Sequence, residues 1–249
     1  MTQQEMLGVV QKQLATDMNC TVADLNGEKD SLVFVDYREN PGRRPFPRGS
    51  QHFELLLMGG AIIVSATPKI MQIVRPQLEG EGRDNAFAMP FVHGHTLYYL
   101  PDLSEIKTMP APAGFEFELA GREQMAELYK TEGFKNALGY DLNHARPDVL
   151  AVCARHESRL VGIAGASADC EKMWQVGMDV LPEFRNRGLA AYIINRLTLE
   201  VLKLGLVPYY GTASSNIASQ RVAHRAGYLP AWVCAYHGRF EGIDLMPTS

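Results

Sequence analysis

A basic loop that contains a glycine and leads into a long amphipathic helix constrains this chain more than any other segment. The loop follows a predicted strand, and the whole stretch reads Val176-Gly-Met-Asp-Val-Leu-Pro-Glu-Phe-Arg-Asn-Arg-Gly-Leu-Ala190. Apolar residues then recur at helical spacing and predict a helix over residues 189–204. The apolar stripe consists of Leu189, Ile193, Leu197, Val201 and Leu204. The polar residues between them are expected on the surface: Asn195, Arg196, Glu200 and Lys203.

The start of that helix is a candidate anion site. The first N–H groups of a helix have no intrahelical partner, and the helix dipole favours negative charge there. Gly188 would let a ligand approach the backbone, while Arg185 and Arg187 add positive charge. These features predict a pyrophosphate-binding loop. An ordinary strand-to-helix turn with solvated arginines is the alternative.

The second half of the chain alternates strands and helices in the order β-α-β-β-β-α-β-α-β. The predicted strands cover residues 115–120, 149–156, 160–166, 173–180, 208–212 and 231–236. The predicted helices cover residues 122–129, 189–204 and 217–226. This order predicts a mixed, twisted α/β sheet with helices on both faces.

The pattern of the first half predicts a smaller α/β domain, in which we recognise no catalytic or binding motif. Its predicted helices cover residues 3–17 and 69–78, and its predicted strands cover residues 31–36, 52–57, 61–66 and 96–100. Two prolines and a glycine interrupt the pattern between Thr108 and Gly114. We therefore predict domains at residues 1–110 and 113–249.

The basic loop and a second motif downstream resemble the cofactor segments of the GNAT superfamily of N-acetyltransferases. The superfamily's loop reads Q/R-x-x-G-x-G/A, which matches Arg185, Gly188 and Ala190. Its second pattern, N-x-x-S/A-x-x-(aliphatic)-x-x-x-x-G-(aromatic), is similar to the segment from Asn216 to Tyr228. Within the superfamily, Arg-Gly-Leu-Ala with the later Tyr-x-x-x-x-Ser-Asn and Ala-Gly-Tyr looks like the bacterial group that contains the zwittermicin A resistance acetyltransferase.

The resemblance implies acetyl-CoA as co-substrate and a strand 173–180 that splays from its neighbour. The pantetheine arm would then pair with the backbone of Met178 and Val180. The diphosphate would lie on the loop, which consists of Arg185, Asn186, Arg187, Gly188, Leu189 and Ala190. Asn216 and Ser219 would face the pantetheine or the thioester, although a helix N-cap and a solvent-facing serine are the alternatives.

The catalytic groups are not identified by the sequence. Many GNAT enzymes carry a tyrosine general acid seven residues after the asparagine, where this chain has Ala223. The candidates that remain for this role are Tyr209, Tyr210, His224, Tyr228 and Tyr236. Asp179 is the candidate general base on the strand, and a bound water could replace it.

Composition excludes several other classes of function. The net charge of -4, with no dominant basic block, argues against a large nucleic-acid surface. The apolar stretches are too short to span a bilayer, and the first residues do not resemble a signal peptide. The four cysteines form no C-x-x-C pair and are expected to be reduced thiols of a cytoplasmic protein. His93 and His95 lack a third ligand, so we expect no metal.

The sequence thus predicts an acetyl-CoA-dependent N-acetyltransferase that acts on a primary amine of a small molecule or peptide. The alternative is a non-catalytic acyl-CoA-binding regulator, and a generic nucleotide-phosphate site is a third hypothesis. The N-terminal half is a candidate lid, a candidate degenerate copy of the same fold, or a candidate surface for a homodimer.

Overall fold

The computed structural model describes residues 1–46 and 51–237, with the backbone alone for Tyr236 and His237. The chain divides into two compact units, each made of two segments of the sequence. The larger unit holds residues 1–9 and 99–230, and the smaller unit holds residues 10–98 and the described residues from 231 onward. These units are defined by packing and not by order along the chain, so the boundary near residue 111 stays a prediction.

The smaller unit is a four-stranded mixed sheet with helices. Strand β1 (Leu32–Asp36) pairs in parallel with β3 (Ile62–Ala66), which pairs antiparallel with β2 (Phe53–Leu57). The other edge of β2 pairs with residues 233–237 of β10 (Tyr228–His237). The helices are α1 (Gln3–Met18), which starts in the larger unit, α2 (Val22–Leu25), α3 (Pro68–Leu78) and α4 (Arg83–Ala88). The unit has its own apolar core around Phe53, Val64 and Val74.

The larger unit contains the mixed sheet that the alternating pattern predicts. Its strands are β4 (His95–Pro101), which begins in the smaller unit, β5 (Glu116–Gly121), β6 (Asp148–His156), β7 (Arg159–Ala168), β8 (Met173–Val180) and β9 (Val207–Ala213). Strands β5 to β8 pair antiparallel in sequence order, whereas β8 and β9 are parallel. The helices are α5 (Met125–Leu128), α6 (Leu189–Lys203) and α7 (Ile217–Arg225).

Helices cover both faces of this sheet. A β-carbon at Gly162 of β7 would lie 3.5 Å from Cδ1 of Ile193, so α6 packs on that face. The next residue, Ile163, points to the opposite face and packs in a cluster with Met125 and Leu128 of α5. The predicted arrangement, a mixed α/β sheet with helices on both faces, is confirmed.

The surface position predicted for Asn195 is wrong. Its side chain is buried, its Nδ2 donates to the carbonyls of Lys107 (3.0 Å) and Ala226 (3.1 Å), and its Oδ1 accepts from the N–H of Met109 (3.3 Å). Leu204, predicted in the apolar stripe, is instead exposed just after α6. Periodicity locates the face that meets the sheet, but it does not show which other segments cross the helix.

Replacing Asn195 with alanine is expected to destabilise the larger unit by about 2–3 kcal/mol, because three backbone groups would lose their hydrogen-bond partner inside the unit. Urea unfolding followed by circular dichroism would measure the loss. Lys203→Ala, at the exposed end of the same helix, is the control and should change stability by about 0.5 kcal/mol or less. Equal losses in the two variants would contradict this role of Asn195.

Several other elements differ from the prediction. The short helices α2 and α4 lack a full apolar period and were not predicted. The helix expected over residues 122–129 is a 3₁₀ turn at Arg122–Gln124 followed by α5. Strand β10 begins at Tyr228, three residues earlier than expected. No helix within residues 1–46 or 51–237 combines the length and the apolar character needed to cross a bilayer.

Candidate functional site

A cavity of about 910 Å³ lies in the larger unit and contains most of the residues that the sequence singled out. Its walls are β8, the loop that leads into α6, one face of α7 and the segment 135–139. The end of β8, the start of α6 and one face of α7 therefore line the same cavity. A shallower hollow beside α1 in the smaller unit gathers no comparable set of groups.

Strands β8 and β9 separate at this cavity. Their parallel pairing runs from Met173–Val207 to Val176–Tyr210 and then ends, although β8 continues to Val180 and β9 to Ala213. On its other side β8 stays paired with β7 as far as Val180. The β9-facing edge of residues 177–180 is therefore an unpaired strand edge, and these residues line the cavity.

The loop before α6 presents the bare start of that helix to the same cavity. Asn186 and Gly188 both adopt the left-handed conformation, with φ of 61° and 78°. Gly188 is the N-cap of α6, and no side chain caps the helix. A β-carbon at Gly188 would have no atom within 4 Å, so the space in front of the helix is open. Gly188, Leu189 and Ala190 line the cavity, as an anion site at this position requires.

The two arginines of the loop differ in position. Arg185 lines the cavity, and its Nε donates to the carbonyl of Val180 at 3.1 Å. This bond ties the end of β8 to the loop. Arg187 is not among the residues that line the cavity; its guanidinium lies 5.4 Å from the ring centroid of Phe184 and donates to the carbonyl of Glu183. Only the backbone of Arg187 is left for the role that the sequence suggested.

Helix α7 begins at the opposite side of the cavity. The side chain of Asn216 accepts from the N–H of Ser219 at 3.1 Å, so it is the N-cap of α7 and also lines the cavity. The hydroxyl of Ser219 lies 2.6 Å from the hydroxyl of Tyr210 at the last β8–β9 pair. Ser219 therefore faces the cavity, and not solvent alone.

The candidates for proton transfer are spread over different environments. Tyr210 lines the cavity and is 4% exposed, and burial raises the pKa of its hydroxyl. Tyr209 does not line the cavity; its side chain is buried and donates to Asp169. His224 is exposed on α7 and is not part of the cavity wall.

Two further tyrosines complete the candidates. Tyr228 is fully buried against Thr198, with the hydroxyls 2.7 Å apart, and burial raises its pKa. The side chain of Tyr236 lies outside the described residues. Tyr210 is thus the tyrosine that the described structure places at the cavity.

Asp179 lines the cavity but is already engaged in hydrogen bonds. Its carboxylate accepts from the backbone N–H groups of Asn136 (2.7 Å) and Ala137 (3.2 Å) and from the amide of Asn136 (2.6 Å). These bonds hold the segment 134–139 against the sheet, where Gly165 and Gly177 leave room for its backbone. Asp179 therefore shapes the cavity wall.

The sequence did not identify several charged groups of the wall. Arg221 and Arg225 lie on the cavity face of α7, and Arg146 and Asp148 lie near the first residues of β6. Arg146 bonds to Gln175 and Asp169, which are far from it in the sequence. From the sequence alone, the spacing of four residues indicates only that Arg221 and Arg225 share one face of α7. In the part of the chain that the structure describes, no three His, Cys, Asp or Glu side chains cluster as metal ligands would.

Residues 129–232 match the family model of the GNAT acetyltransferases. The matched GNAT segment contains the entire cavity wall, from residue 135 to residue 225, and both motifs on which the resemblance depends. This segment is therefore similar to the GNAT acetyltransferases, in agreement with the resemblance of the two motifs, whereas the narrower zwittermicin A resistance group stays a prediction.

Solved GNAT structures are similar to the chain at low identity. A GNAT-family protein from Novosphingobium aromaticivorans is 20% identical over 59% of this chain and 66% of its own, just under two thirds, with a TM-score of 0.44. A GCN5-related N-acetyltransferase-like protein from Streptococcus suis is 16% identical over 72% of each chain, with a TM-score of 0.44. A GNAT-family acetyltransferase from Colwellia psychrerythraea is 16% identical over 71% of this chain and 76% of its own, also at 0.44. Curated protein sequences gave no match.

Proposed function

We propose that this protein is an N-acetyltransferase that moves an acetyl group from acetyl-CoA to a primary amine of a small molecule or a peptide. One observation carries the proposal: β8 and β9 separate after Val176 and Tyr210, beside the uncapped start of α6. An unpaired strand edge suits an amide-containing arm, and unpaired helix N–H groups suit a diphosphate.

The size and the lining of the cavity support acetyl-CoA as its ligand. Its volume of about 910 Å³ lies within the range of ligand sites, which is roughly 300–1,000 Å³. In this proposal the backbone N–H groups of residues 187–190 bind the diphosphate. The backbone of Met178 and Val180 pairs with the pantetheine arm, and Asn216 and Ser219 lie toward the thioester. Arg185 keeps the end of β8 in position and adds positive charge.

Acetyl transfer forms a bond between the amine nitrogen and the carbonyl carbon and breaks the carbon–sulfur bond. The amine loses a proton, and the departing thiolate gains one. The Tyr210 hydroxyl lies where the two strands part, so we assign it as the proton donor to the thiolate. Ser219, which is bonded to that hydroxyl, would keep it oriented. For the amine proton, the hydrogen bonds of Asp179 favour a relay through water over direct transfer to this carboxylate.

Tyr210→Phe is expected to lower kcat by about 10–100-fold and to change the CoA dissociation constant by no more than about 2-fold. Because burial raises the pKa of Tyr210, the donor form persists beyond the ordinary value of about 10. The kcat of the unmodified protein should therefore not fall between about pH 8 and 9.5 through loss of this proton. Tyr192→Phe, whose ring packs on Phe117, is the control. An unchanged kcat in Tyr210→Phe would exclude Tyr210 from proton transfer.

The proposed function is tested by calorimetric titration with CoA and acetyl-CoA, together with thiol release over a panel of amines. Saturable binding with turnover of at least one amine would support the proposal. Tight binding without turnover on any amine would favour the second candidate. Absence of binding to either CoA species would exclude both.

The second candidate is a non-catalytic acyl-CoA-binding regulator. Ala223 occupies the position where GNAT enzymes often carry the catalytic tyrosine, and it is fully buried, so no side chain reaches the cavity from there. The hydrogen bonds of Asp179 also leave the cavity without an evident carboxylate base. Both observations favour binding without transfer.

We further propose a cytoplasmic location, since Cys20, Cys153, Cys170 and Cys234 are all free thiols, as a reducing compartment would keep them. Membership of the zwittermicin A resistance group is supported by the sequence motifs alone. A homodimer formed through the N-terminal half is also proposed, and sedimentation would test it.

A further inference from the structure

A line of polar side chains crosses four strands of the larger unit beside the point where β8 and β9 part. The strand register pairs Asp148 with Ser167, Ser167 with Gln175, and Gln175 with Tyr209. Directly paired residues point to the same face of a sheet, so these side chains form one row. The row lies one residue before the last β8–β9 pair. All of its members except Tyr209 line the cavity.

A buried carboxylate behind this row holds an arginine at the cavity wall. The Asp169 side chain has no exposed surface and accepts from the hydroxyls of Ser167 (2.7 Å) and Tyr209. Arg146 Nη1 lies 3.5 Å from the same carboxylate, while the Arg146 side chain remains 22% exposed and lines the cavity. Burying a carboxylate is costly unless it is paired and hydrogen-bonded. Here the buried charge positions a guanidinium that faces the cavity.

Gln175 adds a second donor at the same place. Arg146 Nη1 lies 3.1 Å from Oε1 of Gln175, and a guanidinium can only donate. The amide oxygen of Gln175 therefore faces Arg146, which leaves the NH₂ group directed elsewhere. Gln175 lines the cavity, and none of the described residues accepts a hydrogen bond from this NH₂ group. The His144 ring, held through Nδ1 by the backbone of Arg146, lines the wall next to it.

The carboxylates around the row already have donors of their own. Asp148 accepts from the hydroxyl of Tyr129 and from the N–H of Gly139, both at 2.7 Å. Asp169 is surrounded by three donors, as described above. The groups that face the cavity from this part of the wall are therefore mainly donors, and the guanidinium of Arg146 is among them. Such a set suits an anion with two oxygens in a plane.

We propose that Arg146 and Gln175 bind a carboxylate of the acceptor, so that the substrate is an amine that also carries a carboxylate, such as an amino acid. The inference rests on the proposed function, because it assigns the acceptor of the same site. The amine would lie on the side of Val176 and Tyr210, where the thioester is proposed, with the carboxylate on the polar row. The carboxylate is a handle for binding and takes no part in the transfer.

The test compares acceptors that differ only in this group. Thiol release is measured with L-phenylalanine, L-phenylalaninamide and 2-phenylethylamine, with the matching alanine series, and with 4-aminobutyrate against butylamine. We expect kcat/KM for the acids to exceed that of the amides and amines by about 10–100-fold. At neutral pH a larger fraction of the amides than of the acids has an unprotonated amine. The reactivity of the amine alone would therefore make the amides react faster than the acids.

Two variants test whether Arg146 and Gln175 cause the preference for acceptors that carry a carboxylate. Arg146→Gln is expected to lower kcat/KM for the acids by about 10-fold or more, with amines changed by less than about 3-fold. Gln175→Glu keeps a partner for Arg146, so it should fold, yet its charge should repel the carboxylate and remove the preference. Arg122→Gln, an exposed arginine away from the cavity, is the matched control. The CoA dissociation constant should stay within about 2-fold in all three variants.

The possible failures are distinguishable. A chain that does not bind CoA contradicts the proposed function, whereas equal rates on acids, amides and amines would overturn only the assignment of the acceptor. Equal losses on every acceptor in Arg146→Gln would likewise overturn it, because a merely structural arginine would act in that way. If CoA binds and no amine reacts, ligand-observed NMR of the acids on the CoA-bound protein decides. Acid binding that is lost in Arg146→Gln supports the proposal, and no acid binding overturns it.

Discussion

Gly188→Glu is expected to lower the affinity for CoA at least about 100-fold while the protein remains folded. The new carboxylate would enter the open space in front of α6 and meet the diphosphate, and like charges brought together cost several kcal/mol. It would also occupy the N–H groups of the helix start, which are proposed to bind the ligand. Calorimetric titration with CoA measures the loss.

Gly205→Glu provides a closely matched control at the other end of α6. Gly205 has a φ of 74°, compared with 78° at Gly188, and a β-carbon there also meets no atom within 4 Å. Both substitutions should therefore cost about 1 kcal/mol of backbone strain. Only the change at Gly188 should affect CoA. Arg185→Ala is expected to weaken binding less, by about 10-fold, because the N–H groups of the helix remain in place.

If the folded Gly188→Glu variant bound CoA as well as the unmodified protein does, the cofactor site proposed at the start of α6 would have to be abandoned. A similar loss in both glutamate variants would instead indicate a general effect of strain or charge. Circular dichroism of each variant distinguishes these outcomes from misfolding.

Gly165→Ala is expected to destabilise the larger unit by about 3 kcal/mol and to disrupt one wall of the cavity. A β-carbon at Gly165 would lie 1.9 Å from the carbonyl oxygen of Ala137, a backbone atom that cannot rotate away. The segment 134–139 would have to move off the sheet, and its bonds to Asp179 would be lost. Such overpacking typically costs about 1–3 kcal/mol or more. Thermal unfolding should show a Tm lowered by about 6–12 °C.

Gly162→Ala on the same strand is the control for this change. Its β-carbon would have its nearest neighbour, in the side chain of Val180, at 3.4 Å, which is an ordinary van der Waals contact, so we expect an effect of about 1 kcal/mol or less. Hydrogen exchange of the Asn136 and Ala137 amides should accelerate in Gly165→Ala and not in Gly162→Ala. Unchanged exchange in both variants would mean that Asp179 does not hold this segment on the sheet.

The sheet and the start of α6 could be predicted because their signals are local. Alternation along β6 to β9 and the apolar stripe of α6 depend only on neighbours in the chain. The loop from Arg185 to Ala190 likewise contains its glycine, its charge and the helix start within six residues. Because all of these features lie in one short segment, the sequence alone shows the resemblance to GNAT loops.

The candidate catalytic residues show the limit of this reasoning. Tyr209 and Tyr210 are neighbours with equal standing in the sequence, yet only Tyr210 lines the cavity. Alternation along a strand shows that the two point to opposite faces, but it does not show which of the two side chains reaches the cavity. The sequence suggested Asp179 as a base, but its carboxylate accepts hydrogen bonds from Asn136 and Ala137, which lie more than forty residues away in the chain.

By itself, the sequence determined the order of most strands and helices, the apolar face of α6 and the basic, glycine-containing loop before it, since each depends on residues close together in the chain. The tertiary structure alone decided where β8 parts from β9, that Asn195 is buried, and that Arg146, Asp169 and Gln175 meet at one wall. These depend on strand register and on segments that return from far along the chain. Alternation along each strand decides which residues face the core, and so it excludes a register shift by one residue. The packing of the whole unit then selects the partner of each residue among the registers that remain.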